Sequence, residues 1–202
     1  MEVILNSHPT LVGHGYLQTF KPNTLRGITL IELMTVIAII AITLGFGIPG
    51  VSAIIQTNRM AAAINTLSAS FALARSEAVT RNQEVVICKS HDGVVCTNKG
   101  GWEQGWIIFA DTNGNETRDE EEPRFRIQDA LAPGIEVSFS AFRSDHFVHY
   151  WPTGFTKMNG TFIFCQGNRP ELTKGLILSK VGRLRKTKTR LDGSPLECGN
   201  TG

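Results

Sequence analysis

The chain has 202 residues, with 20 Lys and Arg against 18 Asp and Glu, and its formal net charge is +2 at pH 7. A net charge this close to zero does not indicate a nucleic-acid, membrane or other charged partner. Only the distribution of charge along the sequence is informative. The length suits one membrane helix and one globular domain of ordinary size.

The first predicted element is an apolar stretch that begins after residue 27. Residues 28–48 contain a single charged side chain, Glu32. A helix over these residues is roughly 30 Å long, which is enough to cross the hydrocarbon core of a bilayer. Arg26, just before the apolar run, predicts that the N-terminal side lies in the cytoplasm. We therefore predict one transmembrane helix at residues 28–48.

The sequence Gly27-Ile28-Thr29-Leu30-Ile31-Glu32-Leu33 resembles the processing site of type IV pilins and type II secretion pseudopilins. The resemblance implies that prepilin peptidase removes residues 1–27 as a leader and methylates the new N-terminus at Ile28, where the family usually has Phe. It also implies that Glu32, a costly charge inside a membrane, pairs with the N-terminal amine of a neighbouring subunit during assembly. The alternatives are an ordinary signal anchor or secretory signal peptide, and a Glu32 that reaches the membrane interface.

The helix is expected to continue past Pro49 as far as residue 82. Beyond residue 52, apolar residues recur at spacings of three and four, which indicates one buried face of an amphipathic helix. These residues are Ile64, Leu67, Phe71, Ala74 and Ala78. The predicted N-terminal helix therefore covers residues 28–82.

After Asn82 the helical period gives way to short β-like runs separated by Gly, Pro and Asn. The predicted strands are residues 84–88, 105–110, 135–142, 147–151, 161–165 and 175–181. A helix followed by strands predicts an α+β protein with an antiparallel sheet, and a globular β-rich domain at residues 83–202.

The sequence GWEQGWIIFADTN at residues 101–113 resembles the FimT/GspH branch of pseudopilins and minor pilins. The mark of that branch is a Gly-Trp strand running into an Asp/Asn-rich turn. The resemblance implies a type IV pilin-like fold, in which a long transmembrane and amphipathic N-terminal helix packs on a C-terminal antiparallel β-sheet domain.

No nucleophile elbow, phosphate loop or paired-carboxylate signature occurs in the sequence, so we predict neither an enzyme nor a cofactor. Ser144, Asp145, His146 and His149 lie close together in sequence, but proximity in sequence does not make a catalytic triad. We interpret both histidines as sheet or surface residues.

The four cysteines all lie after the membrane helix, and an even number in an exported domain indicates two disulfides. The sequence allows three pairings. We favour Cys88–Cys96, which closes a short segment, and Cys165–Cys198, which pins the C-terminal tail. Metal binding by the cysteines is disfavoured because no C-x-x-C occurs and the histidines are scattered.

An acidic segment follows the Gly-Trp strand, with Asp111, Asn113, Asn115 and Glu122 at the spacing of a calcium-binding loop. The sixth place of that pattern needs a glycine and holds Glu116 instead, and no helix plainly follows. We therefore favour an acidic turn whose side chains bond the local backbone, and we predict no metal site.

The C-terminal region carries a basic run with no acidic residue between Glu171 and Asp192. Clustered cations that neutralise phosphates can bind nucleic acid without base readout. Gly182-Arg183-Leu184-Arg185 resembles the GRxR motif of FimT proteins that bind DNA in natural transformation. The resemblance implies that Arg183 and Arg185 are the main DNA contacts, and we expect support from Lys180, Lys186, Lys188 and Arg190. A solvated basic tail, or a surface complementary to a neighbouring pilin, is the alternative.

A strand continuing from Gly175 through this run would place Arg183 and Arg185 on one face. Lys186, Lys188 and Arg190 would then lie on the other face or spread out from a loop.

These resemblances lead to the hypothesis of a minor type IV pilin in the bacterial inner membrane, with its C-terminal domain in the periplasm and other pilins as partners. It would join a pilus or its tip and bind DNA without sequence preference, supporting DNA uptake in natural transformation. The main alternative is a type II secretion pseudopilin of the GspH kind, an assembly subunit without DNA binding. A priming minor pilin with no ligand of its own is a third candidate.

Overall fold

The computed structural model describes residues 27–167 and 169–198, with the side chains of residues 45–51 left out of the description. The predicted leader, residues 1–27, lies outside these residues apart from Gly27. The chain divides into two compact units, residues 1–46 and 47–202, and each is considered by itself.

The first unit contains the start of the helix α1, which spans Leu30–Arg81 and continues through position 49 as predicted. Thr29 caps the helix, since its Oγ1 accepts a hydrogen bond of 3.3 Å from the Glu32 amide. Within the part of the chain whose side chains are described, no helix is both long enough and apolar enough to span a membrane. The predicted span 28–48 includes residues 45–48, whose side chains lie outside that description, so it stays a prediction.

In the second unit, α1 buries the face predicted from the 3–4 spacing. Leu67, Ala74 and Ala78 have no exposed surface, while Ile64 and Phe71 are at most 6% exposed. Met60 and Ala63 extend the same buried face toward the N-terminus. The amphipathic half of the helix therefore packs on the core of the β-rich domain, as expected.

Within the described part of the chain, eight strands follow α1 and form two antiparallel four-stranded sheets. The first sheet has the order β3-β2-β1-β5 and the second the order β4-β6-β7-β8. The strands are β1 (Val85–Lys89), β2 (Trp106–Ala110), β3 (Arg124–Gln128), β4 (Ile135–Ala141), β5 (Phe147–Tyr150), β6 (Gly160–Gln166), β7 (Lys174–Leu178) and β8 (Leu184–Thr187). The sequence predicted six of these strands to within a few residues, and missed β3 and β8.

An aromatic cluster joins α1 to the sheets. Phe71 of α1 lies 6.0 Å from Trp102 and 5.2 Å from Phe162 of β6, measured between ring centroids. The Trp102 indole donates a hydrogen bond of 2.8 Å to the Asp145 carbonyl, so its buried N–H is satisfied. The Gly-Trp pattern of the sequence therefore has a structural role, because it places Trp102 where the helix packs on the sheets.

Both disulfides favoured from the sequence are present. Cys88 of β1 is bonded to Cys96 in the following loop. Cys165 of β6 is bonded to Cys198, which ties the C-terminal tail to the second sheet. The α+β class with antiparallel sheets is confirmed.

Candidate nucleic-acid interface

The basic segment, defined here as residues 180–190, lies on a β-hairpin that the sequence did not predict. β7 ends at Leu178, and the chain reverses before β8 begins at Leu184. The Ser179 amide donates to the Arg183 carbonyl at 3.0 Å, and the Gly182 amide to the Ser179 carbonyl at 2.8 Å. The predicted strand 175–181 therefore ends earlier, at Leu178, and does not continue into the basic segment.

The hairpin register determines which face of the sheet the basic side chains of β8 occupy. Ile177 pairs with Arg185 and Leu176 pairs with Lys186, so Arg185 and Lys186 point to opposite faces of the sheet. Arg183 lies one residue before β8, so strand alternation does not fix its direction. Lys180 lies in the turn before β8, whereas Lys188 and Arg190 follow the strand.

The hairpin turn is held by close packing at Gly182. This residue has φ +75°, a left-handed conformation that side chains rarely adopt. A Cβ at this position would overlap the Gly154 carbonyl oxygen and lie 2.8 Å from the Tyr150 ring. The glycine of the GRxR sequence is therefore required by the backbone conformation and by its neighbours.

Hydrogen bonds from the end of β5 and from the segment that follows it hold the same turn. The Tyr150 hydroxyl donates to the Gly182 carbonyl at 3.1 Å, and the Thr156 amide donates to the Lys180 carbonyl at 3.0 Å. Burial, opposed by the positive charge of Arg75, raises the pKa of the Tyr150 phenol above its ordinary value. Tyr150 therefore stays protonated at physiological pH and remains a donor.

The far end of the basic segment is also restrained. Thr189 and Pro195 form an isolated bridge, and the Arg190 amide donates to the Ser194 carbonyl at 2.8 Å. The Cys165–Cys198 disulfide lies a few residues beyond. Packing at the hairpin and a covalent bond near the C-terminus thus bound the basic segment on both sides.

Most cations of the basic segment are exposed and unpaired. Lys180, Arg183, Arg185, Lys186 and Lys188 are exposed, and Arg190 is half-buried. Across residues 27–167 and 169–198, other cations form ion pairs with carboxylates, but none of these six side chains does. Arg190 is set apart from the other five because its charge interacts with Asp192. The hydroxyl and amide of Ser194 hold the pKa of the Asp192 carboxyl below its usual range, and Arg190 makes a smaller contribution. Five side chains therefore remain available for an external anion.

Two grooves beside the hairpin bring further cations to the basic segment. Arg183 lines one groove together with Arg75 of α1. Lys186 and Lys188 line another, together with Lys174 of β7. Sequence reasoning did not select Arg75, because its distance of more than one hundred positions from Arg183 leaves no local signal.

Arg75 also supports the hairpin indirectly. Its Nε donates a hydrogen bond of 2.9 Å to the Gly154 carbonyl, which is the group that would meet a Cβ on Gly182. The charge of Arg75 is therefore fixed beside the turn.

The acidic segment forms a turn closed by its own side chains. Asp111 accepts hydrogen bonds from the amides of Gly114, Asn115 and Glu116 at 2.9–3.1 Å. Glu122 accepts another from the Thr112 amide at 2.7 Å. Burial raises the pKa of the Asp111 carboxyl above its ordinary value, although the bond from the Glu116 amide opposes the shift.

Glu116 occupies the place that requires glycine in a calcium loop, and its φ of 62° is itself left-handed. The carboxylates of Asp111 and Glu122 nevertheless accept hydrogen bonds from backbone amides, as in the acidic turn favoured from the sequence.

The polar residues near β5 do not form a catalytic relay. His146 Nδ1 lies 3.1 Å from the Ser144 hydroxyl and 3.2 Å from the Asp145 carboxylate. A nucleophile relay needs these two partners on different ring nitrogens, and here both contact the same nitrogen. His149 lies in β5 and is 8% exposed.

At the predicted processing site, Gly27 and Ile28 lie just before α1 and are exposed. Glu32 lies in the first turn of α1, where a carboxylate is favoured by the helix dipole. In the single chain the Glu32 side chain is exposed.

This architecture is shared with a known protein family. A family model described as type II transport protein GspH matches residues 63–182. The match begins within the second half of α1 and ends at Gly182, before Arg183 and Arg185. No curated protein sequence matches the chain significantly.

Solved structures share the fold at low sequence identity. The type IV minor pilin FimU of Pseudomonas aeruginosa matches with a TM-score of 0.52 at 21% identity, over 65% of this chain and 90% of that chain. The minor pseudopilin EpsH from the type II secretion system of Vibrio cholerae matches with a TM-score of 0.46 at 13% identity, over 64% and 96% of the two chains. The likeness to FimU shows a pilin-like fold, as expected from the sequence.

Proposed function

The chain belongs to the family of the type II transport protein GspH, and we propose that it is a minor type IV pilin that binds DNA through its basic segment. Membership of this family makes the chain a minor pilin or pseudopilin, which is a structural subunit. The proposal concerns the ligand: DNA of any sequence, taken up in natural transformation.

The observation that carries the proposal is the set of five exposed, unpaired cations on one hairpin and its flanks. Unpaired side chains keep their full charge for phosphates, whereas a cation already bonded to a carboxylate would have to lose that bond. Arg183 and Arg185 add planar guanidinium groups that can each bind one phosphate through two hydrogen bonds. Backbone contacts of this kind carry no sequence information, as uptake of unrelated DNA requires.

Restraint of the hairpin supports a binding role over that of a solvated tail. The turn at Gly182 is packed and hydrogen-bonded, and Cys198 ties down the chain beyond the basic segment. A preorganised surface loses less conformational entropy when it binds its ligand. A freely moving tail would not need this restraint.

The N-terminal motif supplies the assembly part of the proposal. We expect prepilin peptidase to cut between Gly27 and Ile28 and methylate the new amine. Glu32 would then pair with the amine of a neighbouring pilin in the filament. The large apolar side chains of residues 28–44 are exposed in the single chain, and lipid of the inner membrane or other pilins would cover them. The globular domain would then lie in the periplasm, and filament retraction would draw bound DNA inward.

The test is DNA binding by the full chain in detergent micelles, followed as the fluorescence anisotropy of a short labelled duplex of mixed sequence. The informative variant is the double change Arg183→Gln and Arg185→Gln. Its matched control is Arg124→Gln with Arg126→Gln, since that pair has the same spacing and is exposed on the edge strand β3. We expect wild type and control to bind alike and the double variant to bind at least tenfold more weakly. Equal loss in both double variants would contradict a localised site.

The type II secretion pseudopilin remains the second candidate. It is favoured by the description of the matching family and by the end of the match at Gly182, before the arginines. In that case the basic segment would be an assembly surface. The full chain would then fail to bind DNA at low salt, even when many copies are displayed on one bead.

A further inference from the structure

A cluster of potential metal ligands lies on the first sheet, away from the basic segment. Glu84, Asp111 and His149 each offer one ligand atom, and these three atoms lie within 4.8 Å of one another. They are spread over 66 positions of the sequence, so no local sequence motif indicates the cluster. None of the three takes part in the proposed DNA site.

Strand register explains why these residues meet. Glu84 precedes β1 and Asp111 follows β2, and the Asp111 amide donates to the Glu84 carbonyl at 3.0 Å. His149 of β5 pairs with Val86 of β1. Side chains alternate along a strand, so Glu84 lies on the same face as Val86 and therefore as His149. The three residues therefore lie at or beside the adjacent strands β2, β1 and β5, and their ligand atoms meet on one face of the first sheet.

His149 supplies the observation that points to a ligand. Its side chain is 9% exposed, and its buried Nε2 has no hydrogen-bond partner among the residues that the structure describes. The Glu84 Oε2 atom lies 3.1 Å away, but not in hydrogen-bond geometry. Buried polar atoms are nearly always satisfied, so a nitrogen facing two carboxylates without a bond requires an explanation.

We propose that Glu84, Asp111 and His149 bind a divalent transition-metal cation, with Zn²⁺ as the best-fitting ion. Two ligands of a tetrahedral zinc, each about 2.1 Å from the metal, lie roughly 3.4 Å apart. The Glu84–His149 distance of 3.1 Å is close to this value. The Glu84 side chain is 39% exposed, which gives the ion an entry path and leaves a fourth position for water.

The donor set selects against the alkaline-earth cations. Imidazole is a ligand of zinc and its neighbours, whereas calcium takes six to eight oxygen atoms. Two carboxylates and one imidazole provide too few oxygens for calcium and suit the three-ligand zinc sites. The site is therefore different in kind from the calcium loop considered for residues 111–122.

A bound cation would link the end of α1 to the acidic turn. Glu84 comes three residues after Arg81, the last residue of α1, and Asp111 anchors the acidic turn through three amide hydrogen bonds. Neutralising the buried Asp111 carboxylate and the partly exposed Glu84 carboxylate would favour the folded state and order that turn.

The test is Zn²⁺ binding to the full chain, purified in detergent without a histidine tag and stripped of metal with a chelator. Isothermal titration calorimetry should show one Zn²⁺ per chain, and Zn²⁺ should raise the thermal unfolding midpoint. We expect Glu84→Gln to weaken binding by at least about tenfold. Glu120→Gln, which removes an exposed carboxylate of the same acidic turn, should bind like wild type.

A second variant addresses the nitrogen ligand. His149→Gln should weaken Zn²⁺ binding and change the visible absorption spectrum of bound Co²⁺, whereas His91→Gln, at an exposed position, should do neither. If His149→Gln fails to fold, the partly exposed Glu84 decides the outcome through its own variant. Absence of Zn²⁺ binding by wild type, or equal binding by Glu84→Gln, would overturn the proposal.

Discussion

The change Gly182→Ala should destabilise the domain by more than the cost of placing an alanine in the left-handed conformation. An alanine held at φ +75° costs roughly 1–2 kcal/mol. Its Cβ would also displace the Gly154 carbonyl and the Tyr150 ring. The bonds that Arg75 and Tyr150 make to this turn contribute about 1 kcal/mol each to stability. The expected total is therefore about 3–4 kcal/mol.

Gly134→Ala is the matched control, because Gly134 has φ +86° and no atom of the described residues lies within 4 Å of the place that a Cβ would take. It should cost only the roughly 1–2 kcal/mol of the left-handed conformation. Tryptophan fluorescence during thermal unfolding is a suitable assay, since Trp102 and Trp106 are buried in the core. For a domain of this size, a difference of about 2 kcal/mol corresponds to a gap in Tm of roughly 4–8 °C. Equal Tm values for the two variants would refute the role of close packing at the turn.

Three further predictions concern the supports of the fold. Tyr150→Phe should lower stability by about 1–3 kcal/mol, because it leaves the buried Gly182 carbonyl without its donor; chemical denaturation measures this loss. Replacing Cys165 and Cys198 with serine opens a link across 33 positions, which should cost roughly 4 kcal/mol and expose the basic segment to limited proteolysis. Two backbone amides hold the pKa of Asp92 below its ordinary value of 3.8, so its stabilising effect is present above that value and lost as the pH falls. The Tm difference between wild type and Asp92→Asn should therefore be constant near neutrality and disappear in acid.

The buried half of the fold was readable from the sequence because burial imposes a periodic pattern. The α1 stripe and the strands β1, β2 and β6 are apolar over most of their length, and β4 alternates. These patterns follow from which side chains face the core.

The two missed strands, β3 and β8, lie at sheet edges and carry charged side chains. Each has two cations among its four or five residues, which hide the apolar alternation. Edge strands with charges are a common defence against aggregation, so this loss of signal has a physical cause. Missing β8 also left the chain reversal between β7 and β8 unpredicted.

Composition located the basic segment, but not the groups that position it. The Tyr150 and Arg75 contacts come from distant parts of the chain, and only the fold brings them to the hairpin. The cluster of Glu84, Asp111 and His149 depends in the same way on strand register. Pairwise contacts of this kind leave no local pattern in one sequence.

The salt dependence of DNA affinity tests the central proposal most directly. If all five unpaired cations contact phosphates, log K should fall against log salt with a slope of about −4.5, which is an upper limit because Arg185 and Lys186 face opposite ways. Removing Arg183 and Arg185 should reduce the slope to about −2.7. Between about 50 and 200 mM salt, affinity should then fall roughly 500-fold for wild type and roughly 40-fold for the variant.

The control pair Arg124→Gln and Arg126→Gln should keep the wild-type slope. A shallower slope for the basic-segment variant alone would support DNA contact at Arg183 and Arg185. The same slope in all three proteins, or no measurable binding by wild type, would contradict it and favour the secretion pseudopilin.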